Sequence, residues 1–222
     1  MWLARTLRTT GEILITAGLV ILLFVAYTLY WTGLFTEREQ DDLRDQLRDK
    51  WAQGAGSFLG PNIPELELGS AVAILRIPRF GLGYAKIVIE GVSLRDLRRG
   101  PGHYPKTQYP GQVGNFVVSG HRTTYGAPFG RLDELSAQDA IVVETADTWY
   151  TYRVLRKEIV APTAIDITLP VPHQPDATPT KKLMSMTTCH PKYSAQRRLI
   201  VFSELAETLR KVEGQLPPAL SE

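Results

Sequence analysis

KKLMSMTTCHPKYSAQRRLIVF, residues 181–202, places the chain's single cysteine, Cys189, at the end of one β-like run and two arginines at the start of the next. Working outward, the same texture recurs from residue 71 on, in AVAILRI, AKIVIEG, GNFVVSG, AIVVET, TWYTYRVLRKEIV, KLMSMTT and RLIVFSEL. These short runs alternate with turn signals and no helical pattern separates them regularly. That excludes a doubly wound sheet and predicts an all-β fold, a closed barrel or a sandwich. Between residues 161 and 181 lies a stretch with five prolines and no strand alternation; it reads as a stiffened surface excursion or as a wall of a binding groove.

Upstream, the 22 residues from Ile13 to Leu34 carry no charge, and about twenty apolar residues cross a bilayer as a helix. The run is longer than the apolar core of a secretory signal, and no small-x-small cleavage pattern follows it closely, so it reads as a retained anchor. Arg5 and Arg8 precede it and an acidic excess follows, which places the N-terminus in the cytoplasm and the bulk of the chain outside. Tyr27, Tyr30 and Trp31 suit the outer interface. Beyond it, Thr36 with Glu39 resembles a capping box, and Leu43, Leu47 and Trp51 form one helical stripe, predicting a short stalk helix that starts after the anchor. Glycines and prolines in GAGSFLGPNIPELELG then predict a linker. The expected organisation is a cytoplasmic start (1–12), anchor (13–34), stalk and linker (35–66), one main domain (67–210) and a tail (211–222).

A formal net charge of +2 over 222 residues, with no long basic run, argues against nucleic-acid binding. A lone cysteine outside the cell cannot close an internal disulfide. It is a buried small hydrophobe, an intermolecular partner or a reactive thiol. An ordinary thiol, pKa about 8.5, is only a few per cent thiolate near neutral pH and gains from a nearby base or cation. Of the four histidines, His121 is best placed, because Gly120 ends the run NFVVSG and lets His121 project from a rim loop. His190 adjoins Cys189 but points to the opposite face of an extended chain. His103, in the turn-like GPGHYP, and His173, in the proline-rich loop, are expected to be exposed. Arg197 and Arg198 alternate in the same way, so only one shares a face with the thiol; pattern alone leaves the choice open.

Taken together, these residues resemble the sortases, membrane-anchored cysteine transpeptidases of Gram-positive cell surfaces, over about residues 67 to 206. The family's Thr-Leu-x-Thr-Cys signature at a strand end is matched by Ser185, Met186, Thr187, Thr188 and Cys189, with Ser and Met as mild departures. Its Gly-His step is matched by Gly120 and His121. Its strand-opening arginine corresponds best to Arg198, with Arg197 as the fallback. GPGHYPKTQYPGQVGNFVVSGHRTTYGAPFGRLDEL and TTCHPKYSAQRRLIV resemble class E in particular, the housekeeping type of high-GC actinobacteria.

The resemblance implies an all-β, sortase-type closed barrel of about eight strands with short helices, behind an N-terminal transmembrane helix. It implies Cys189, His121 and Arg198 as catalytic residues and Tyr104 and Thr188 at the substrate groove; no cofactor is expected, and the acidic residues of the barrel region form no dense loop with calcium-ligand spacing, so no metal site is expected either. It further implies a sorting signal, Leu-Ala-x-Thr-Gly preferred over Leu-Pro-x-Thr-Gly, and as partners secreted proteins bearing that signal and a lipid-linked peptidoglycan precursor. An L,D-transpeptidase is the competing enzyme, although TTCHP lacks that family's Ser-His-Gly-Cys context. A non-catalytic anchored binding domain is the competing reading of another class.

Overall fold

The computed structural model describes residues 2–58 and 66–221, apart from the side chains of Leu29 and Tyr30. Residues 59–65 of the expected linker, and the placing of Tyr30 at an interface, lie outside the described residues. Eight strands close a barrel in the order β1-β2-β3-β4-β7-β8-β6-β5. They are β1 (Ala71–Arg76), β2 (Ala85–Glu90), β3 (Gly102–His103), β4 (Gly114–Ser119), β5 (Ala140–Glu144), β6 (Thr148–Val160), β7 (Lys182–His190) and β8 (Arg197–Arg210). The β2/β3 and β4/β7 pairs are parallel and the others antiparallel. Closure leaves no free edge for another chain to extend. Alternate residues of the strands fill the interior: Val72, Val88, Phe116, Val118, Tyr152, Met184, Met186, Leu199 and Val201 share one buried cluster. Burying a side chain of this size stabilises by about 1.5–3 kcal/mol.

Seven strands coincide with the runs read from the sequence. The eighth, β3, is two residues long and too short to show alternation. Its shortness has a consequence on β2, where the backbone of Ile87, paired with Ile74 of β1 on one side, lacks a ladder neighbour on the other. The Gln40 amide takes that place, accepting from Ile87 N (2.7 Å) and donating to Ile87 O (3.1 Å) and Arg99 O (2.8 Å). A buried backbone group left unpaired would cost about as much as a lost hydrogen bond.

Gln40 belongs to a helix that corrects the expected break between anchor and stalk. Helix α1 (Trp2–Ala26) runs through a single π-turn (Tyr27–Trp31) into α2 (Thr32–Ala52) without a cap. Thr36 is not an N-cap. It lies inside α2, and its hydroxyl is within hydrogen-bonding distance of Thr32 O (2.9 Å) and Arg98 O (2.8 Å). Glu39, the other half of the expected box, pairs with Arg99 instead (2.8 Å). Leu43 and Leu47 pack on Ala71, Ile74, Ile87 and Ile89, as their stripe predicts. α1 is long and apolar enough to cross a membrane and buries none of its residues; it is consistent with a single-pass anchor.

Candidate active site

The register of β7 against β8 separates the two arginines. Cys189 lies opposite Arg198, and His190 opposite Arg197. Directly opposed residues share a face with Cβ atoms about 4.5–5.5 Å apart, so Arg198 and the half-buried, free Cys189 form the outward pair. Interior Met184, Met186, Leu199 and Val201 fix that parity, since Cys189 and Arg198 fall on the alternate positions. The guanidinium of Arg198 donates to Ala195 O (2.9 Å) and Arg197 O (3.0 Å), which folds it back over the turn between the strands.

Thr188 points the other way. It is 2% exposed, and its hydroxyl donates to Gly120 O (2.7 Å). Contrary to the groove position expected for it, the side chain ties β7 to the residue before His121 and does not face the groove. The parallel register of β4 with β7, ending at Ser119 opposite Thr187, carries on through the Gly120 N–H to Thr187 O bond (3.1 Å). His121 therefore leaves the barrel level with Cys189. Gly120 has to be glycine, because a Cβ there would lie 2.7 Å from the Phe129 ring.

The His121 ring stacks at a tilt on Tyr125 (4.9 Å between centroids), and the Arg98 guanidinium lies over the Tyr125 ring, 5.7 Å from its centroid. Burial, and then the charge of Arg98, push the His121 pKa below its ordinary value. Removing a nearby cation lifts one penalty on the imidazolium. Arg98→Gln should therefore move the His121 titration, read from its Cε1–H NMR signal, to higher pH. No movement would show that the arginine charge does not reach the ring.

Arg122 is the residue that the sequence reading missed. Its guanidinium is buried and reaches Cys189 O (3.1 Å), His190 Nδ1 (2.9 Å) and the Asp133 carboxylate (3.0 Å). The arginine can only donate, so His190 Nδ1 accepts and its proton sits on Nε2. Arg122 thus clamps the backbone of the cysteine from beneath, while its buried Nε has no partner among the described residues. The Arg after Gly-His was the available signal, but a single charged residue in a loop is ordinarily solvated.

Two histidine expectations need correction. His103 is fully buried, not exposed: Nδ1 meets Glu90 Oε2 at 2.7 Å and Nε2 meets Thr107 Oγ1 at 2.9 Å. His173 is part-buried and clasps its loop through Asp166 (2.7 Å). That loop is pinned to the barrel's outer face, where Asn115 donates to Ile167 O (2.9 Å) and Leu169 O (3.1 Å), and Ile167 packs on Ile200 and Phe202. Tyr104 follows β3 with its N–H on Val117 O (2.9 Å) and its side chain half-buried. Because His103 points inward, Tyr104 points to the outer face, two strands from Cys189.

Around Cys189 opens a cleft of about 490 Å³ lined by Arg122, Thr123, Thr124, Tyr193, Ser194 and Ala195, and on one side by Val25 and Thr28 of the long helix. An outward thiol paired with an arginine, with an imidazole level with it at the rim, is an arrangement suited to acyl transfer.

Comparison with known proteins agrees. The Sortase domain model matches residues 75–206. The chain is 35% identical over 224 residues to Sortase SrtE1 of Streptomyces coelicolor, covering 96% of this chain and 60% of that protein's length. Among solved structures, SrtF sortase from Corynebacterium diphtheriae superposes with a TM-score of 0.68 at 33% identity, covering 75% of this chain and all of the other. Sortase E from Streptomyces avermitilis gives 0.63 at 36% identity, covering 70% and 99%. The chain belongs to the sortase family of cysteine transpeptidases and is similar to its class E members.

Proposed function

We propose that this protein is a membrane-anchored sortase of a Gram-positive surface, its N-terminus cytoplasmic and its barrel outside. It cleaves a Leu-Ala/Pro-x-Thr-Gly signal between Thr and Gly and joins the new Thr carboxyl to an amine of a lipid-linked wall precursor. The observation that carries this reading is the outward pairing of Cys189 with Arg198, level with His121. The sulfur of Cys189, as thiolate, attacks the Thr carbonyl carbon. Arg198 donates to the oxygen on which negative charge develops. The C–N bond breaks as the His121 imidazolium gives its proton to the departing glycine amine, leaving a Thr thioester on Cys189. The acceptor amine then attacks that carbon, His121 takes its proton, and the amide forms with release of the thiolate. No step calls for a cofactor. Incubating the full chain with Leu-Ala-x-Thr-Gly peptide and an amine, with mass spectrometry of the products, tests the reading: a Thr-amide product supports it, and an uncut peptide contradicts it.

Tyr104 would sit beside the second residue of the signal. Two strand spacings make about 10 Å and two residues of extended peptide about 7 Å, so the side chain is within reach of that position when Thr lies at Cys189. Alanine there retains a backbone N–H that proline lacks, and the Tyr104 hydroxyl would accept it. One such bond is worth about 0.5–1.5 kcal/mol. Tyr104→Phe should therefore lower the ratio of Leu-Ala-x-Thr-Gly to Leu-Pro-x-Thr-Gly turnover by about a few-fold to tenfold. If only Tyr104→Ala relaxes the preference, the ring excludes proline by volume and the hydroxyl has no part.

A further inference from the structure

The helix that anchors the chain is also a wall of the cleft. Thr28, Thr32, Thr36 and Gln40 recur every four residues on one face. Thr28 lines the cleft, the Thr32 hydroxyl lies 3.4 Å from Tyr125 N, and Thr36 and Gln40 bond to the barrel as described. Gly33 sits against Gly126. The loop bearing His121 is thus seated on the helix, and the helix leaves the barrel at a fixed angle beside Cys189. Its opposite face stays apolar and open well past α1: Trp31, Leu34 and Phe35 are each at least half exposed. Tyr27 and Trp31, the aromatic side chains suited to the outer interface, are 55% and 64% exposed and lie two and six residues beyond Val25, about 3 and 9 Å along the axis. A helix whose interfacial aromatics start at Tyr27 carries Val25, and the cleft with it, at the membrane boundary and not above it.

The lip of the same cleft has matching chemistry. Tyr193, whose neighbours Ser194 and Ala195 line the cleft with it, is 83% exposed. Lys192 on the same turn and Arg197, the first residue of β8, are exposed as well. Tyrosine settles at the headgroup layer, and lysine and arginine are drawn to anionic lipid. We propose that the β7–β8 turn, through Lys192, Tyr193 and Arg197, rests on the anionic phospholipid headgroups of the outer leaflet, so that the Cys189 cleft opens onto the bilayer surface. This rests on the reading of α1 as a membrane span with the barrel outside. It explains the absence of a free stalk: a thioacyl enzyme at headgroup level meets a lipid-linked amine without either leaving the surface.

Because Cys189 is the chain's one cysteine, a single label can be moved at will. Full-length Cys189→Ala protein carrying Tyr193→Cys, labelled with an environment-sensitive maleimide dye, is inserted into phosphatidylcholine vesicles containing phosphatidylglycerol and lipid nitroxides near the headgroup. The control label sits at Lys182→Cys, exposed at the far end of β7 and roughly 26 Å from His190. The proposal expects loss of fluorescence at position 193 but not at 182, and a smaller loss when Lys192→Glu and Arg197→Glu are added. Vesicle-bound protein with no quenching at 193, equal quenching at both positions, or indifference to the charge reversal would overturn it. Those results would leave the peptide assay untouched. Protein that fails to float with the vesicles would remove the anchor, and the proposal with it, while the same peptide assay still decides the chemistry.

Discussion

Cys189→Ala protein is expected to form no transfer product and no cleaved peptide above background, while folding as the parent does. The thiol sits on the outer face at the end of β7, half-buried and outside the interior cluster that holds Met184 and Met186. Alanine removes the nucleophile and little packing, so unfolding free energy should change by about 1 kcal/mol or less. Arg122 still holds the backbone carbonyl at position 189, but no sulfur is left to take the acyl group. Peptide assays and thermal unfolding on the same preparation separate the two properties. Normal turnover in the variant would remove Cys189 from the chemistry, and a collapsed fold would assign it a structural role instead.

Arg198→Ala is expected to reduce turnover by about 10²-fold or more, the scale of losing one oxyanion donor. Arg197→Ala should have little effect. The difference follows from register: Arg198 faces the thiol across the ladder, whereas Arg197 faces His190 and is exposed. Arg198→Lys should recover only part of the loss, since an ammonium retains the charge but lacks the planar fork of donors. Steady-state kinetics with one peptide would decide the matter. If the two alanine variants exchanged phenotypes, the arginine acts from the face opposite to the one the barrel gives it.

Much of this arrangement was legible in the sequence because strand periodicity and one short signature carry it. The runs ending at Ser119, at Cys189 and beginning at Arg197 fix the three strand ends that meet at the site, and alternation reduces the arginines to one. The family resemblance points to Arg198, with Arg197 as the fallback; the residues alone needed the register to choose, because period cannot say which face a strand turns to its neighbour. What escaped notice was polar. The helix seat is built of Thr28, Thr32, Thr36 and Gln40, which give no apolar stripe to detect. Thr36 and Glu39 imitate a cap because the same side chains that satisfy a helix end can satisfy a neighbouring backbone carbonyl or a guanidinium. His103 looked exposed in a turn-like segment, and its burial depends on Glu90 and Thr107 closing around it. Arg122 is read as solvent-facing by composition, and only the fold brings it beneath Cys189.

That thioacyl chemistry at Cys189 is the core of this account can be tested by intact-mass spectrometry of the full chain, quenched in acid during turnover of a Leu-Ala-x-Thr-Gly peptide without added amine. A mass increase equal to the peptide fragment ending in Thr is expected, located on Cys189 by digestion and discharged when an amine is supplied. Cleavage between Thr and Gly that proceeds with no adduct on Cys189, or with the adduct on another residue, would contradict it.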